Sequence, residues 1–143
     1  MQIISVINQK GGVGKTTTVI NLAAGLSQMD KKILVIDLDP QGNATTGLGL
    51  SNMDNSSDTI YGVLNGTKEI SEVIKKTQFE NLDMITSNVD LSGLEVETAD
   101  DSNRAFLLKT KLAPYLNNSR GQYDYVLIDC PPSLSLLLSL IHI

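Results

Sequence analysis

Gly14, Lys15 and Thr16 close the stretch NQKGGVGKT (8–16), which comes directly after the apolar run QIISVI (2–7). Residues of these types in this order suit one kind of chemistry. A glycine-rich turn between a strand and a helix points backbone N–H groups at an anion, and the helix N-terminus adds its partial positive charge. Gly11, Gly12 and Gly14, with Val13 among them, permit the close approach and unusual torsions that such a turn requires. Lys15 would bring a cation to the β- and γ-phosphates of a nucleotide, and the Thr16 hydroxyl would ligate Mg²⁺. The competing reading is a glycine-rich hairpin followed by a helix cap. A strand before the turn, a helix after it and Gly-Lys-Thr at the junction argue against that. The usual phosphate loop has Gly, four residues, then Gly-Lys-Ser/Thr. Here Gln9 stands in the first glycine's place, and a second lysine, Lys10, lies inside the loop.

Carboxylates end two further apolar runs. In VIDLDPQGNAT (35–45), Asp37 and Asp39 alternate along an extended chain, so they point to opposite sides unless the strand ends between them. Asp129 ends YVLID (125–129), and a lone acid after a hydrophobic strand can hold Mg²⁺ directly or through water. Taken alone, Lys10 also reads as a solvated loop lysine and Asp37 as a loop cap. Cys130 reads as a small buried hydrophobe, because the single histidine, His142, lies near the terminus and no partner stands out to activate a thiol.

The elements that must position these groups alternate in kind. QIISVIN and KILVID are continuous β-branched runs typical of strands buried on both faces. Between them, residues 16–29 carry Val19, Ile20, Leu22, Ala23 and Leu26 at helical spacing, so the start reads as a parallel βαβ unit. DPQGNATTGLGLSNMDNSS reads as a long functional or mobile loop. DTIYGVLNG and EISEVIKK read as two short helices and NLDMITS as a strand. Residues 103–116 read as a helix with Pro114 weakening its last turn, and YDYVLIDCPP as a strand stopped by its proline pair. The pattern predicts an α/β fold with a mostly parallel sheet flanked by helices.

At 143 residues the chain can bury one core. A net charge of −5 argues against a surface coated in nucleic acid, although a local basic patch is compatible with it. The lysines of DKK (30–32) and IKK (74–76), with Arg104, Lys109, Lys111 and Arg120, read as solvated faces. One cysteine excludes an internal disulfide and suits a reducing compartment. The apolar stretches at both ends are too short for a secretory signal or a bilayer span, so a cytoplasmic protein is expected.

KGGVGKTT (10–17) resembles the deviant Walker A box of the ParA/MinD family of P-loop ATPases, which lacks the first glycine and carries the extra lysine instead. DLDPQGNATTGLG, TSNVDLSGLEVE and YDYVLIDCPPS are similar to the ParA/Soj branch, the chromosome- and plasmid-partitioning ATPases. The resemblance implies that Lys10, Gly11, Gly12, Val13, Gly14, Lys15, Thr16 and Thr17 bind ATP, with Lys10 reaching the nucleotide of a partner subunit. It implies that Asp39 orients or deprotonates the attacking water. Thr16, Asp37 and Asp129 would serve the Mg²⁺, Asp129 as the Walker B carboxylate. An ATP-dependent homodimer, non-specific DNA and a ParB-type activator are the implied partners. Nucleoid association is implied, no membrane is expected, and the family's main basic DNA surface would lie beyond this chain.

Relatives of other kinds fit less well. The nitrogenase iron protein needs two cysteines per subunit for its cluster. A MinD-like ATPase, positioning cell division or other cargo at a membrane, would carry a C-terminal amphipathic helix not seen here. A nucleotide-gated scaffold without catalysis would lack Asp39. In the family arrangement the strand bearing Asp129 flanks the phosphate-loop strand. Residues 1–138 follow the family as the N-terminal part of a ParA-type domain incomplete on its C-terminal side. The tail SLLLSLIHI departs from it, so residues 139–143 are expected to be non-native and a truncated, inactive nucleotide-binding fragment is the alternative reading.

Overall fold

The run ILVID forms strand β2 (Ile33–Asp37) and is buried along its whole length. A strand without polar alternation must be covered on both faces. Ile33 and Val35 pack into one layer, Leu34 and Ile36 into the other. The computed structural model describes residues 2–6, 14–51, 56–94, 107–118 and 122–130. In it β2 is central in a five-stranded sheet with β1 (Gln2–Val6), β3 (Ile74–Lys76), β4 (Leu82–Ile85) and β5 (Tyr125–Asp129), in the order β1-β5-β2-β4-β3. Strands β1, β5, β2 and β4 are parallel; β3 pairs antiparallel with β4 at the edge.

Helices cover both faces. Helix α1 (Lys15–Gln28) and the short α2 (Asn43–Gly47) bring Val19, Ala23 and Ala44 against Ile33, Val35, Met84 and Leu127. Helices α3 (Ile60–Leu64), α4 (Ile70–Val73) and α5 (Leu107–Asn118) bring Ile60, Val63, Val73 and Leu112 against Leu34, Ile36, Val126 and Ile128. Leu127 and its neighbours Val126 and Ile128 thus face opposite layers, as strand periodicity demands. The expected α/β architecture with a mostly parallel sheet is present.

Several local expectations differ from what the chain does. The βαβ unit is parallel, but β5 lies between its two strands. IKK (74–76), expected to continue a helix, is strand β3: Ile74 turns extended at φ −71, ψ 129 and pairs with Ile85. The segment read as one long loop holds α2, whose Ala44 and Thr45 are fully buried. Helix α5 runs through Pro114 to Asn118. Its buried Leu108 and Leu112 anchor it to the core, which offsets the one backbone bond a proline removes. Residues 103–106, the proline pair and the 139–143 tail lie outside the described residues. Cys130 is buried, as its reading as a small hydrophobe requires.

Candidate functional site

Parallel sheets offer their ligand crevice at the carboxyl ends of the strands, where the strand order reverses. Here β1 leads through α1 to β2, while β5 occupies the slot between them. The register sets the last residues side by side: Val6 opposite Asp129, and Asp129 opposite Asp37. The carboxyl end of β1 therefore lies one strand spacing from Asp129 and two from Asp37. Backbone bonds tie these ends together, Cys130 N–H donating to the Val6 carbonyl at 3.2 Å and Leu38 N–H to the Asp129 carbonyl at 2.9 Å.

Gly14 enters α1 in the left-handed conformation, with φ 71, where a side chain would be strained. The Thr18 hydroxyl donates to its carbonyl at 2.8 Å, which steadies the first turn. Within that first turn the Thr16 hydroxyl donates to Asp129 Oδ2 at 3.1 Å. Asp129 is completely buried, so the pair sits at the floor of the crevice. Thr17 lies exposed beside it. Lys10, Gly11, Gly12 and Val13 lie outside the described residues, and Lys15 is described by its backbone alone as the first residue of α1.

Strand β2 ends at Asp37, two residues before Asp39, and a turn closed by the Gly42 N–H to the Asp39 carbonyl follows. Asp37 is fully buried. Its Oδ1 accepts from Asp39 N–H at 3.0 Å; its Oδ2 accepts from Thr45 N–H at 2.9 Å and from the Thr45 hydroxyl at 2.8 Å. Burial pushes its carboxyl up to about 6; the bonds from Asp39 and Thr45 pull it back, and the nearby Asp129 charge raises it further. Asp39, only slightly exposed, accepts at Oδ1 from Gln41 N–H at 3.0 Å. Its carbonyl accepts from Gly42 N–H at 2.9 Å and from the Ser87 hydroxyl at 2.8 Å.

The donor chemistry at the crevice fits a hard divalent cation. Thr16 and Asp129 offer oxygens already aimed at one another, and Mg²⁺ is commonly held by one or two such side chains plus water and phosphate oxygens. No group of three His, Cys, Asp or Glu side chains among the described residues could hold an ion unaided. A metal here would complete its shell from water and a phosphate ligand. A cavity of about 560 Å³ lined by Lys32, Gln78, Asp83 and Tyr123 opens at the opposite ends of the strands, away from these groups.

The sequence singled out Thr16, Asp37, Asp39 and Asp129, and the fold brings all four to one end of the sheet. It did not single out Thr45 and Ser87, which the fold places beside them. Both are fully buried hydroxyls, which the sequence showed only as polar residues in NATTG and TSN.

This arrangement defines a nucleotide-binding α/β domain of the P-loop type. The family described as an AAA domain matches residues 1–142, and the chain belongs to that family, in its ParA/Soj branch. It is 47% identical over 136 residues to the chromosome partitioning protein ParA of Myxococcus xanthus, covering 95% of this chain and 46% of that one. Against the sporulation initiation inhibitor protein Soj of Bacillus subtilis it is 46% identical over 136 residues, covering 95% of this chain and 52% of the relative. Cobyrinic acid a,c-diamide synthase from Mycobacterium smegmatis, solved with a bound ATP analogue and magnesium, matches with a TM-score of 0.86 at 38% identity. That match covers 97% of this chain and 55% of the synthase. The chain spans about half the length of the curated relatives it matches.

Proposed function

We propose that the protein is a Mg²⁺-dependent ATPase of the ParA/Soj type, acting in chromosome or plasmid partitioning. The observation that carries this reading is the Thr16–Asp129 pair, 3.1 Å apart on the floor of the crevice at the N-terminus of α1. Lys15, leading α1, supplies a cation to the β- and γ-phosphates, and the α1 N-terminus adds its dipole. Mg²⁺, when bound, neutralises charge on the transferring phosphoryl group; Thr16 and Asp129 hold it. Asp39, at the turn beyond β2, orients the attacking water. Lys10 acts across a dimer interface, so that its charge reaches the γ-phosphate only when two subunits have closed.

Closure upon ATP, DNA binding without sequence preference, and stimulation by a ParB-type partner complete the proposed cycle. The γ-phosphate favours the closed state, and its loss withdraws that preference. Such a protein works in the cytoplasm on the nucleoid. Among the described residues no helix is long and apolar enough to cross a membrane.

Calorimetric titration of the full-length protein with ATP, with and without Mg²⁺, tests the reading. Wild type should bind more tightly with Mg²⁺, and Thr16→Ala should lose that Mg²⁺-dependent gain. Equal affinity of the two proteins at saturating Mg²⁺ would overturn it.

A further inference from the structure

Four buried groups from three separate segments close a ring of hydrogen bonds around the backbone of Asp39. Asp37 Oδ1, at the end of β2, accepts from Asp39 N–H at 3.0 Å. Asp37 Oδ2 accepts from the Thr45 hydroxyl of α2 at 2.8 Å. The same Thr45 oxygen accepts from Ser87 N–H at 3.1 Å, in the loop after β4. The Ser87 hydroxyl completes the circuit by donating to the Asp39 carbonyl at 2.8 Å. Asp37, Thr45 and Ser87 are all fully buried.

We propose that Ser87 and Thr45 are positioning residues for Asp39, the ring holding its peptide units so that its carboxylate keeps a fixed aim at the attacking water. This rests on the proposed function, in which Asp39 orients that water. The chemistry favours rigidity over mere packing. Each ring hydroxyl donates once, and that of Thr45 also accepts, so no rotor is left to swing. Bonds among buried groups are stronger than those on a surface. The backbone of Asp39 is gripped at both its N–H and its C=O, which fixes where its Cβ points. Displacement of a reacting group by about 1 Å can cost on the order of 10² in rate, so the grip has kinetic leverage.

The grip also spans the sheet. Ser87 and Asp39 belong to loops that leave the neighbouring strands β4 and β2, while Thr45 belongs to a helix packed beneath them. Removing the Ser87 hydroxyl leaves the Asp39 carbonyl its second donor, Gly42 N–H, so Ser87→Ala should fold.

The test is single-turnover hydrolysis and nucleotide binding by the full-length protein, with thermal melts on every variant. Ser87→Ala should slow hydrolysis by about 10- to 100-fold with nucleotide affinity unchanged. Thr45→Val should do likewise, and Thr45→Ser, which keeps the hydroxyl, should restore the rate. In an Asp39→Ala background, Ser87→Ala should add nothing, because residues acting as a unit are non-additive. Normal hydrolysis by Ser87→Ala, or an equal further loss in the Asp39→Ala background, would overturn the positioning role. Normal hydrolysis by Asp39→Ala alone would instead remove Asp39 from the mechanism, and the positioning role would fall with it. Should Ser87→Ala melt too low to assay, the Thr45→Val and Thr45→Ser pair decides: equal rates would refute the role.

Discussion

Thr16 donates to Asp129 at 3.1 Å, whereas Asp37, which stands opposite Asp129 on the adjacent strand, directs its carboxylate to Asp39 and Thr45. Two acids at equivalent positions thus carry different work. Asp129 faces the phosphate-loop helix, and Asp37 organises the turn that follows its own strand.

Lys15→Ala is expected to abolish ATP binding by removing the cation proposed to reach the β- and γ-phosphates. Lys10→Ala should keep monomer affinity and lose ATP-dependent dimerisation. A fluorescent ATP analogue measures the first, and sizing with and without ATP the second. Equal loss of affinity in both variants would show that Lys10 acts within its own subunit.

Asp39→Ala should bind ATP and dimerise yet hydrolyse about 10²- to 10⁴-fold more slowly, the usual contribution of a general base or water-positioning group. Single-turnover phosphate release gives the number. Retention of the wild-type rate would mean that another group orients the water.

Asp37 makes stability depend on pH. Its carboxyl titrates at about 6 in the fold, above its ordinary 3.8. Between these values the folded chain keeps a proton that the unfolded chain releases, so stability falls as pH rises through the window and levels off above it. At about 1.4 kcal/mol per unit, the loss attributable to this group is about 3 kcal/mol. Asp37→Asn cannot titrate, so urea melts of metal- and nucleotide-free protein from pH 4 to 7 should show its stability rising relative to wild type. A constant difference across that range would contradict the assignment.

Gly62→Ala should destabilise the fold by about 1–3 kcal/mol, the usual cost of overpacking. A Cβ there would overlap the Ser57 backbone carbonyl, which cannot swing aside as a side chain can. Denaturant melts would reveal it, and an unchanged midpoint would show that the 56–58 turn yields freely.

The parts of this architecture that depend on near neighbours could be read from the chain. Unbroken apolar runs announced β2 and β5, and each ended in the acid that the fold places in the crevice. Helix α2 was hidden because NATTG has helix-poor residues and is held by burial of Ala44 and Thr45. Strand β3 was hidden because three residues carry no period, and only pairing with β4 makes IKK extended. The ring of hydroxyls was out of reach for a related reason: Thr45 and Ser87 meet because β2 and β4 pair, and nothing local to either residue signals it.

The place of β5 between β1 and β2 also sets an order of events during synthesis. Gln2 pairs with Tyr125 and Ile33 with Tyr125 too, so the first two strands share a partner that the ribosome makes far later. Until that strand emerges, β1 has no neighbour among the described strands, and Thr16 lacks the acid it bonds. Closing so distant a contact is slow, and nascent chains wait with apolar strands unpaired. Ribosome-bound chains arrested before residue 125 should therefore be cut readily by protease within 2–6, and chains that have released β5 should resist. The phosphate-binding end of the sheet would thus be completed only once β5 has emerged, and any grip on a nucleotide would come after it.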